Sequence, residues 1–535
     1  MTTPNEDLTL LPKFRAIAHH LPEAPLVHYF GSTLTAGEVD EMSDALAAAL
    51  VAGGFGPGQR LALYLQNIPQ YMIALLAAWK AGGIAVSVNP MYRHREVRWI
   101  LVDSGATAAI CMESLWSEVL SDVWSDTPLA SIITTSELDF VTNPDRVPIL
   151  AASRRQRAGD WPDLLETIER YRDEAVPVSN PAPHDVACLV YTSGTTGPAK
   201  GAMNTHGNVA FSANTYCRTL ELTEQDVVLG VAPLFHITGL TAHLAVAMQL
   251  GVPVVLSFRF DPAQVLELIE QQRTTFTVAS ITVFQALMNH PDAQHRDVSS
   301  LRTVYSGGQA VAAATVDAYE RQMGPYIRIA YGLTETTGPT HLVPVDQRAP
   351  IDPITGTLSA GQPVFGTRCQ IIADDGSERA VGAIGEVTVS GPQVVPGYWR
   401  NEGETEHAFK DGWFHTGDVG FVDADGWLYL VDRMKDLINA SGYKIWPREV
   451  EDVLYEHPSV REAAVVGVVD SYRGETVKAF VSLRRDQQVT EAELIRHCRA
   501  RLAAFKVPRT IVILPDLPQT ATGKILRREL REHGS

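Results

Sequence analysis

Cysteine is scarce in this 535-residue sequence, and the few cysteines form no known pattern. There are five, an odd number, at widely separated positions: Cys111, Cys188, Cys217, Cys369 and Cys498. No spacing among them resembles a zinc site or a disulfide framework. We therefore expect reduced thiols in a cytoplasmic protein.

Segments of the kind that enter a membrane are also missing. Residues 1–22 contain acids and lack an apolar core of signal-peptide length. Residues 227–258 are strongly apolar, but they are interrupted by Pro233, His236, Gly239, His243, Gln249 and Pro253. That pattern favours a buried strand and helix over a membrane span.

The chain has no excess of positive charge, since 44 basic residues face 62 acidic ones and the net charge is −18. This balance argues against a nucleic-acid-binding protein and against binding to anionic membranes. Several well-known catalytic loops are absent too: the Walker A ending, the Gly-x-Gly-x-x-Gly dinucleotide loop and the Gly-x-Ser-x-Gly elbow. Any anionic ligand must therefore be held by other local groups.

The length and the 45% apolar content predict at least two globular domains. In the first 330 residues, short apolar runs alternate with helical patterns such as 38–52 and 71–82, which indicates α/β architecture with parallel sheets. The strand-like runs are 61–66, 85–89, 108–112, 227–232, 252–257, 276–280, 303–306 and 327–330. Folds of this class bind ligands in loops at the carboxyl ends of their strands.

From about residue 370 the pattern changes to short strands separated by turn signals, including a predicted hairpin around Asp425-Gly426. The last hundred residues predict a small α+β domain with helices at 447–456, 491–503 and 525–532 and strands at 463–469, 477–483 and 510–514. We expect a large N-terminal domain of parallel and mixed sheets with a small β-barrel-like part, residues 1–432, and a mobile C-terminal domain, residues 433–535.

The most informative segment is residues 191–201, Tyr-Thr-Ser-Gly-Thr-Thr-Gly-Pro-Ala-Lys-Gly, directly after an apolar run. Glycines permit close backbone approach, so that backbone N–H groups and hydroxyls can surround phosphate oxygens, and Lys200 adds a cation. The alternative on composition alone is an ordinary Ser/Gly-rich surface loop. The preceding strand and the lysine favour a phosphate loop.

Segment 191–201 resembles the phosphate loop of the adenylate-forming superfamily, which comprises acyl-CoA synthetases, luciferases and the adenylation domains of peptide synthetases. The resemblance covers almost the whole chain, because further family motifs follow in order. These are Pro-Leu-Phe-His-Ile-Thr-Gly-Leu at 233–240, Ser-Gly-Gly-Gln-Ala at 306–310, Tyr-Gly-Leu-Thr-Glu at 331–335, Thr-Gly-Asp at 416–418 and Asp-Arg-Met-Lys-Asp at 432–436. Each motif alone is modest, and the ordered set is specific.

The resemblance implies the following ATP contacts: Thr192, Ser193, Gly194, Thr195, Thr196, Gly197, Lys200, Gly308, Gln309, Ala330, Tyr331, Gly332, Thr334, Asp418, Arg433 and Lys524. Within this set Tyr331 is expected to stack on adenine and Asp418 to bind the ribose hydroxyls. Glu335 is expected to help hold Mg²⁺, a hard cation that prefers oxygen ligands.

The acid is expected to contact His236, Thr238, Gly239, Ser306, Gly307, Gly332 and Gly338. The resemblance makes Lys435 the hinge and places Ser441, Gly442 and Tyr443 along the coenzyme A tunnel. Lys524, in the C-terminal motif Pro-Gln-Thr-Ala-Thr-Gly-Lys at 518–524, matches the family's catalytic lysine. Lys524, Thr196, Glu335 and His236 are thus the expected catalytic residues. Without the other motifs, His236 would be interpreted as a buried structural histidine, residues 432–436 as a solvated run of charges, and Lys524 as an exposed surface lysine.

The implied reaction joins a carboxylic acid to ATP as acyl-AMP, releases pyrophosphate and passes the acyl group to coenzyme A. The acid is expected to be a medium- or long-chain fatty acid or an aryl acid, because the pocket segments are mainly apolar or small and residues 88–92 resemble those of fatty-acid ligases. Alternatives are transfer to a separate carrier protein, luciferase-like oxidation, and a non-catalytic nucleotide-binding relative. The sequence leaves the oligomeric state open, a homodimer included.

Overall fold

The computed structural model describes residues 9–175, 179–192, 198–354, 356–433, 436–440, 443–470, 474–520 and 523–532. Its strands, in chain order, are β1 Pro25–Tyr29, β2 Ser32–Thr35, β3 Arg60–Tyr64, β4 Ile84–Ser87, β5 Ala108–Met112, β6 Ser131–Thr135, β7 Val186–Tyr191, β8 Gly201–Thr205, β9 Val228–Gly230, β10 Val254–Leu256, β11 Phe276–Ala279, β12 Thr303–Gly307, β13 Ile327–Leu333, β14 Gly338–Leu342, β15 Gln362–Pro363, β16 Arg368–Ile372, β17 Gly385–Ser390, β18 Phe409–Lys410, β19 Trp413–Val422, β20 Leu428–Arg433, β21 Ile438–Ala440, β22 Tyr443–Ile445, β23 Val460–Asp470, β24 Gly474–Leu483 and β25 Thr510–Ile513.

The α-helices, in chain order, are α1 Leu10–His20, α2 Ala36–Ala52, α3 Pro69–Lys80, α4 His94–Ser104, α5 Glu113–Leu115, α6 Ser121–Val123, α7 Leu164–Arg170, α8 His206–Thr219, α9 Val246–Leu250, α10 Pro262–Gln272, α11 Ile281–Asn289, α12 Ala313–Met323, α13 Glu402–Ala408, α14 Pro447–Tyr455, α15 Glu491–Arg499 and α16 Arg527–Glu532. Start signals explain several of them. Thr35, Thr205 and Thr490 each accept a hydrogen bond from the third residue of α2, α8 and α15, and that residue's side chain bonds back in a capping box.

Two large sheets form the body of the molecule. The first has the order β15-β14-β13-β12-β11-β9-β10-β1-β2, and β13 to β1 run parallel with antiparallel strands at both edges. The second has the order β6-β5-β3-β4-β7-β8, parallel except for β8. The predicted α/β architecture is confirmed. Helix α3 is buried on all sides, as a helix enclosed in a large core must be.

The apolar stretch 227–258 contributes two strands to the first sheet and does not form a long helix. It comprises β9, a π-helical segment Gly239–Ala245 that continues into α9, and β10. Among the described residues, no helix is long and apolar enough to cross a membrane. The interpretation of this stretch as buried strand and helix is therefore confirmed.

A third sheet, β16-β17-β19-β18 with β20 beside β19, is antiparallel and forms the β-rich part expected after residue 370. The predicted hairpin is present, since Val422 pairs with Leu428 across a turn in which Gly426 has φ +82°. This left-handed conformation suits glycine, which lacks a Cβ.

The fourth sheet, β22-β21-β24-β23 with β25 beside β24, belongs to the smaller C-terminal part. Helices α14 and α15 pack on it around a separate apolar cluster that includes Ile445, Val465 and Leu494. The predicted helix at 491–503 ends earlier, at Arg499, and the one predicted at 525–532 begins at Arg527. A large mixed α/β part and a smaller C-terminal part agree with the predicted fold class.

Candidate active site

A cavity of about 1910 Å³ brings together residues that are distant in the sequence. Its wall contains segments of the two large sheets, the third sheet and the C-terminal loop that carries Lys524. The predicted residues that line it are Thr192, Lys200, His236, Thr238, Gly307, Gly308, Gln309, Ala330, Tyr331, Gly332, Thr334, Glu335, Gly338 and Lys524. Fourteen predicted residues from well-separated segments of the chain thus meet in one space.

Parallel strand ends account for much of this convergence. Strands β11, β12 and β13 are neighbours in the first sheet, and residues at or after their carboxyl ends line the cavity. Such an edge is where α/β sheets bind ligands. Gly332 is needed for the close approach of β13 and β14 there, because a Cβ on it would lie 1.9 Å from the carbonyl oxygen of Gly338.

The loop bearing Lys524 is a tight hairpin docked against the large part. The Thr520 N–H donates to the Lys524 carbonyl at 2.8 Å, and the Gly523 N–H donates to the Thr520 carbonyl at 2.9 Å. Gly523 has φ +77°, and a Cβ on it would lie 2.0 Å from Thr282 Oγ1. Glycine therefore allows both the turn and the close contact with residues 280–282.

His236 faces the same space and is held neutral. Its Nδ1 accepts the backbone N–H of Thr238 at 3.3 Å, so this nitrogen is the unprotonated one in that bond. Burial and, to a smaller extent, the nearby Lys524 ammonium together lower the pKa of His236 to about 4. A cation and a neutral imidazole therefore share the cavity at neutral pH.

A chain of polar contacts joins the phosphate-loop lysine to the predicted magnesium ligand. Lys200 Nζ lies 2.8 Å from a carboxylate oxygen of Glu404 and 4.5 Å from the centre of the Tyr398 ring. The Tyr398 hydroxyl in turn donates to Glu335 Oε1 at 2.8 Å. The sequence analysis did not identify Tyr398 and Glu404, because each contacts a site residue that is far away in the sequence. The Gly-Tyr pair at 397–398 was the one local feature that could have indicated Tyr398.

Glu335 fits a magnesium ligand by this geometry. Tyr398 fixes one carboxylate oxygen, and among the described residues the other, Oε2, accepts no hydrogen bond. Mg²⁺ usually takes one or two protein carboxylates and completes its shell with water and substrate phosphates. The Glu335 carboxylate, with one oxygen held by Tyr398, agrees with such a site.

Three predicted residues lie outside the cavity wall. Asp418 is 8% exposed, and its Oδ2 accepts the hydroxyl of Tyr331 at 2.8 Å. Ser306 is fully buried, and Gly239 packs so closely that a Cβ would lie 2.2 Å from the Pro233 carbonyl oxygen. Close packing thus accounts for Gly239, while the expected ligand contacts of all three stay predictions.

Several predicted residues lie outside the described residues. These are Ser193, Gly194, Thr195, Thr196, Gly197, Lys435, Ser441 and Gly442, together with the side chains of Arg433 and Tyr443. Their expected roles in ATP binding, hinge motion and coenzyme A binding stay predictions.

Comparison with known proteins agrees with this geometry. Residues 14–399 match the model of the AMP-binding enzyme family, and residues 449–524 match that of the AMP-binding enzyme C-terminal domain. The chain belongs to the AMP-binding enzyme family, as its resemblance to the adenylate-forming superfamily predicts.

Full-length relatives have similar lengths. The chain is 34% identical over 526 residues to the long-chain-fatty-acid–CoA ligase of Bacillus subtilis (strain 168), covering 96% of this chain and 92% of the relative. It is 36% identical over 512 residues to a feruloyl-CoA synthase of an Amycolatopsis species, covering 95% and 96%. The crystal structure of an anthranilate CoA ligase in complex with anthranoyl-AMP superposes with a TM-score of 0.88 at 26% identity, covering 100% of this chain and 99% of that one.

Replacing Gly523 by alanine should impair adenylation by about tenfold or more, because the new Cβ meets Thr282 and the left-handed turn disfavours it. The rate of acid-dependent pyrophosphate release measures the effect. Gly412→Ala is the matched control, since Gly412 has φ +79° and open space around its Cβ position. Equal losses in the two variants would contradict a specific docking role.

His341 should make stability depend on pH. Burial lowers its pKa to about 3, so the unfolded chain binds a proton that the folded chain refuses. Stability is therefore fully present above the unfolded pKa of about 6.5 and is lost as the pH falls below it. When the pH falls from 7 to 5, the free energy of unfolding should drop in the parent protein. We expect this drop to be about 2 kcal/mol smaller in His341→Asn, which lacks the buried histidine.

Urea unfolding at the two pH values measures this difference. His184→Asn is the control, because the His184 side chain is 87% exposed. A parent and a His341→Asn variant with the same pH slope would show that the His341 prediction is wrong.

Proposed function

We propose that this protein is an ATP-dependent acyl-CoA ligase. It converts a carboxylic acid and ATP into acyl-AMP and pyrophosphate, and then acyl-AMP and coenzyme A into acyl-CoA and AMP. The observation that carries the proposal is the presence of Lys524 and His236 in one cavity with the Tyr331–Glu335 segment. Family membership and the names of the relatives support it.

The first half-reaction joins two anions, a carboxylate and the α-phosphate of ATP. Their repulsion must be offset by cations fixed in position before the reaction, which is the largest contribution in many enzymes. Lys524 supplies such a charge from the docked hairpin, and Lys200 supplies another beside the phosphate loop. Because the acid is already ionised, this step needs no general base.

His236 suits a contact with a carboxylate or phosphate oxygen without adding a second full charge. Its Nδ1 accepts the Thr238 N–H, so its other ring nitrogen carries the proton and is a donor. Magnesium, held by Glu335, would neutralise phosphate charge when bound.

The second half-reaction requires room for a thiol where Lys524 stands. We propose that residues 433–535 form a mobile domain which rotates about Lys435 relative to residues 1–432. The Lys524 hairpin would then leave, and the segment Ser441, Gly442 and Tyr443 would line the path of coenzyme A. A separate apolar cluster in the C-terminal part supports such independent movement.

The acid is proposed to be a fatty acid of medium or long chain, or an aryl acid. Apolar side chains including Val231, Val278 and Pro339 line the cavity near His236. Relatives named for long-chain fatty acids and for ferulate support both classes. A cytoplasmic location is also proposed, supported by the five free cysteines, four of them buried.

The proposal is tested by incubating the protein with ATP, Mg²⁺, coenzyme A and a panel of fatty and aryl acids. Mass detection of acyl-CoA is the expected result for at least one acid. Pyrophosphate release without acyl-CoA would point to a carrier-protein acceptor instead. Failure of every acid to exchange labelled pyrophosphate into ATP would contradict the function.

Lys524→Ala separates the two half-reactions. We expect adenylation to fall by a factor of about 100 to 1000, because a charge aimed at the reacting phosphate is removed. Thioester formation from supplied acyl-AMP should fall far less, since Lys524 leaves the site for that step. Lys506→Ala is a control lysine, paired on the C-terminal part with Glu449 at 2.7 Å. Equal loss of both half-reactions in Lys524→Ala would contradict its role.

A further inference from the structure

Two arginines converge beside the phosphate loop without the carboxylate that would normally separate them. An ideal Cβ on Gly105 would lie 2.7 Å from Arg60 Nη2 and within 3.4 Å of both terminal nitrogens of Arg400. Both guanidiniums also lie over the ring of Trp399, at 5.7 Å for Arg60 and 5.5 Å for Arg400. Two like charges therefore meet at one point.

Arg60 has a structural explanation. Its side chain donates to the carbonyls of Gly58, Ser104 and Gly105. The last two belong to the carboxyl end of α4, where unpaired carbonyls favour a cation. Burial and the nearby charge of Arg400 both lower the pKa of Arg60. The positive charge of Arg400 therefore repels that of Arg60.

Arg400 has no such explanation. It is exposed, and within the described part of the chain it donates no hydrogen bond and joins no ion pair. Its backbone has φ +51°, a left-handed conformation that is uncommon for a residue other than glycine. Strain of this kind often accompanies functional positions.

The surroundings point to an anion. The backbone N–H of Trp399 donates to the Gly201 carbonyl at 2.8 Å, and Ala202 forms an isolated β-bridge with Tyr398, so Tyr398 and Trp399 lie beside the end of segment 191–201. The indole N–H of Trp399 is buried and has no acceptor among the described residues. Trp399, Arg400, Lys200 and Thr192 all line the cavity.

The carboxylates nearby are already engaged. Glu404 binds Lys200, and Asp103 accepts the hydroxyl of Tyr191 at 2.6 Å. Neither lies within ion-pair distance of Arg400 in the described structure. The Arg400 guanidinium therefore keeps its N–H donors available near the end of segment 191–201.

We propose that Arg400, supported by Arg60 and Trp399, forms a binding site for pyrophosphate beside the phosphate loop. The site receives the leaving group after acyl-AMP forms and holds it until release. This assignment rests on the proposed function. It adds a second binding site for the released pyrophosphate, separate from the predicted phosphate loop 191–201. A planar guanidinium with several donors suits such an anion, because it can bind two oxygens at once.

The test measures binding of magnesium pyrophosphate to the full-length protein by titration calorimetry, without acid or nucleotide. Arg400→Gln should weaken binding by about tenfold, the usual effect of losing a charge-assisted hydrogen bond. Arg400→Lys keeps the positive charge but loses the planar set of N–H donors, and it should weaken pyrophosphate binding by about threefold. Trp399→Phe, which removes the N–H donor and leaves a smaller ring under the two guanidiniums, should also weaken binding by a few fold.

Arg368→Gln is the matched control. Arg368 lies 5.0 Å over the ring of Trp413, so it is another arginine stacked on tryptophan, but it does not line the cavity. Its pyrophosphate affinity should stay within about twofold of the parent, as for other surface changes. Thermal melting of each variant identifies any that fail to fold, and the milder Arg400→Lys and Trp399→Phe variants then carry the test.

Two results would overturn the proposal. One is a folded Arg400→Gln variant that binds pyrophosphate as tightly as the parent, which would leave Arg400 a purely structural role at α4. The other is an Arg400→Gln variant that loses the parent's preference for coenzyme A over its 3′-dephospho form. That result would assign the site to the coenzyme A phosphate. Because the titration needs no turnover, it tests this site even if the acid panel yields no acyl-CoA.

Discussion

The contact between the Lys524 hairpin and residues 280–282 is the constraint on which the rest of the site depends. It places the cation of the C-terminal part next to His236 and closes a cavity whose other walls come from the large sheets. The contact depends on Gly523, and the rotation proposed for residues 433–535 would have to break it. An enzyme that must use one site for two successive reactions needs a closure of this kind.

The electrostatics of the cavity follow from that closure. Burial keeps His236 neutral, and the Lys524 ammonium acts in the same direction, so the two groups do not compete for a proton near neutral pH. Tyr398 fixes Glu335, and Lys200 is held between Glu404 and the Tyr398 ring. Several charged groups are thus held in position before substrate binds. The acidic net charge of the chain does not prevent anion binding, because the local cations decide it.

Much of the fold and part of the site could be predicted from local pattern. Strands such as β3, β5 and β11 are short apolar runs between turn signals, and the hairpin at Gly426 follows from its Asp-Gly pair. His236 and Lys524 were found through motifs, and both line the cavity. Glu404, Thr282 and Arg400 were not found, because each acts on a residue far away in the sequence and carries no local signal. The early end of α15 and the π-helical turn at Gly239 depend on packing, which local propensity does not encode.

The ion pair between Lys200 and Glu404 has a consequence for nucleotide entry. A triphosphate that binds Lys200, as we propose, would replace this carboxylate and would not meet a bare cation. Binding therefore gains less from this charge than it would in an empty pocket, and release is correspondingly easier. A ligase that must discharge a highly charged product in every cycle benefits from a resident counter-ion that returns to the lysine as the product departs.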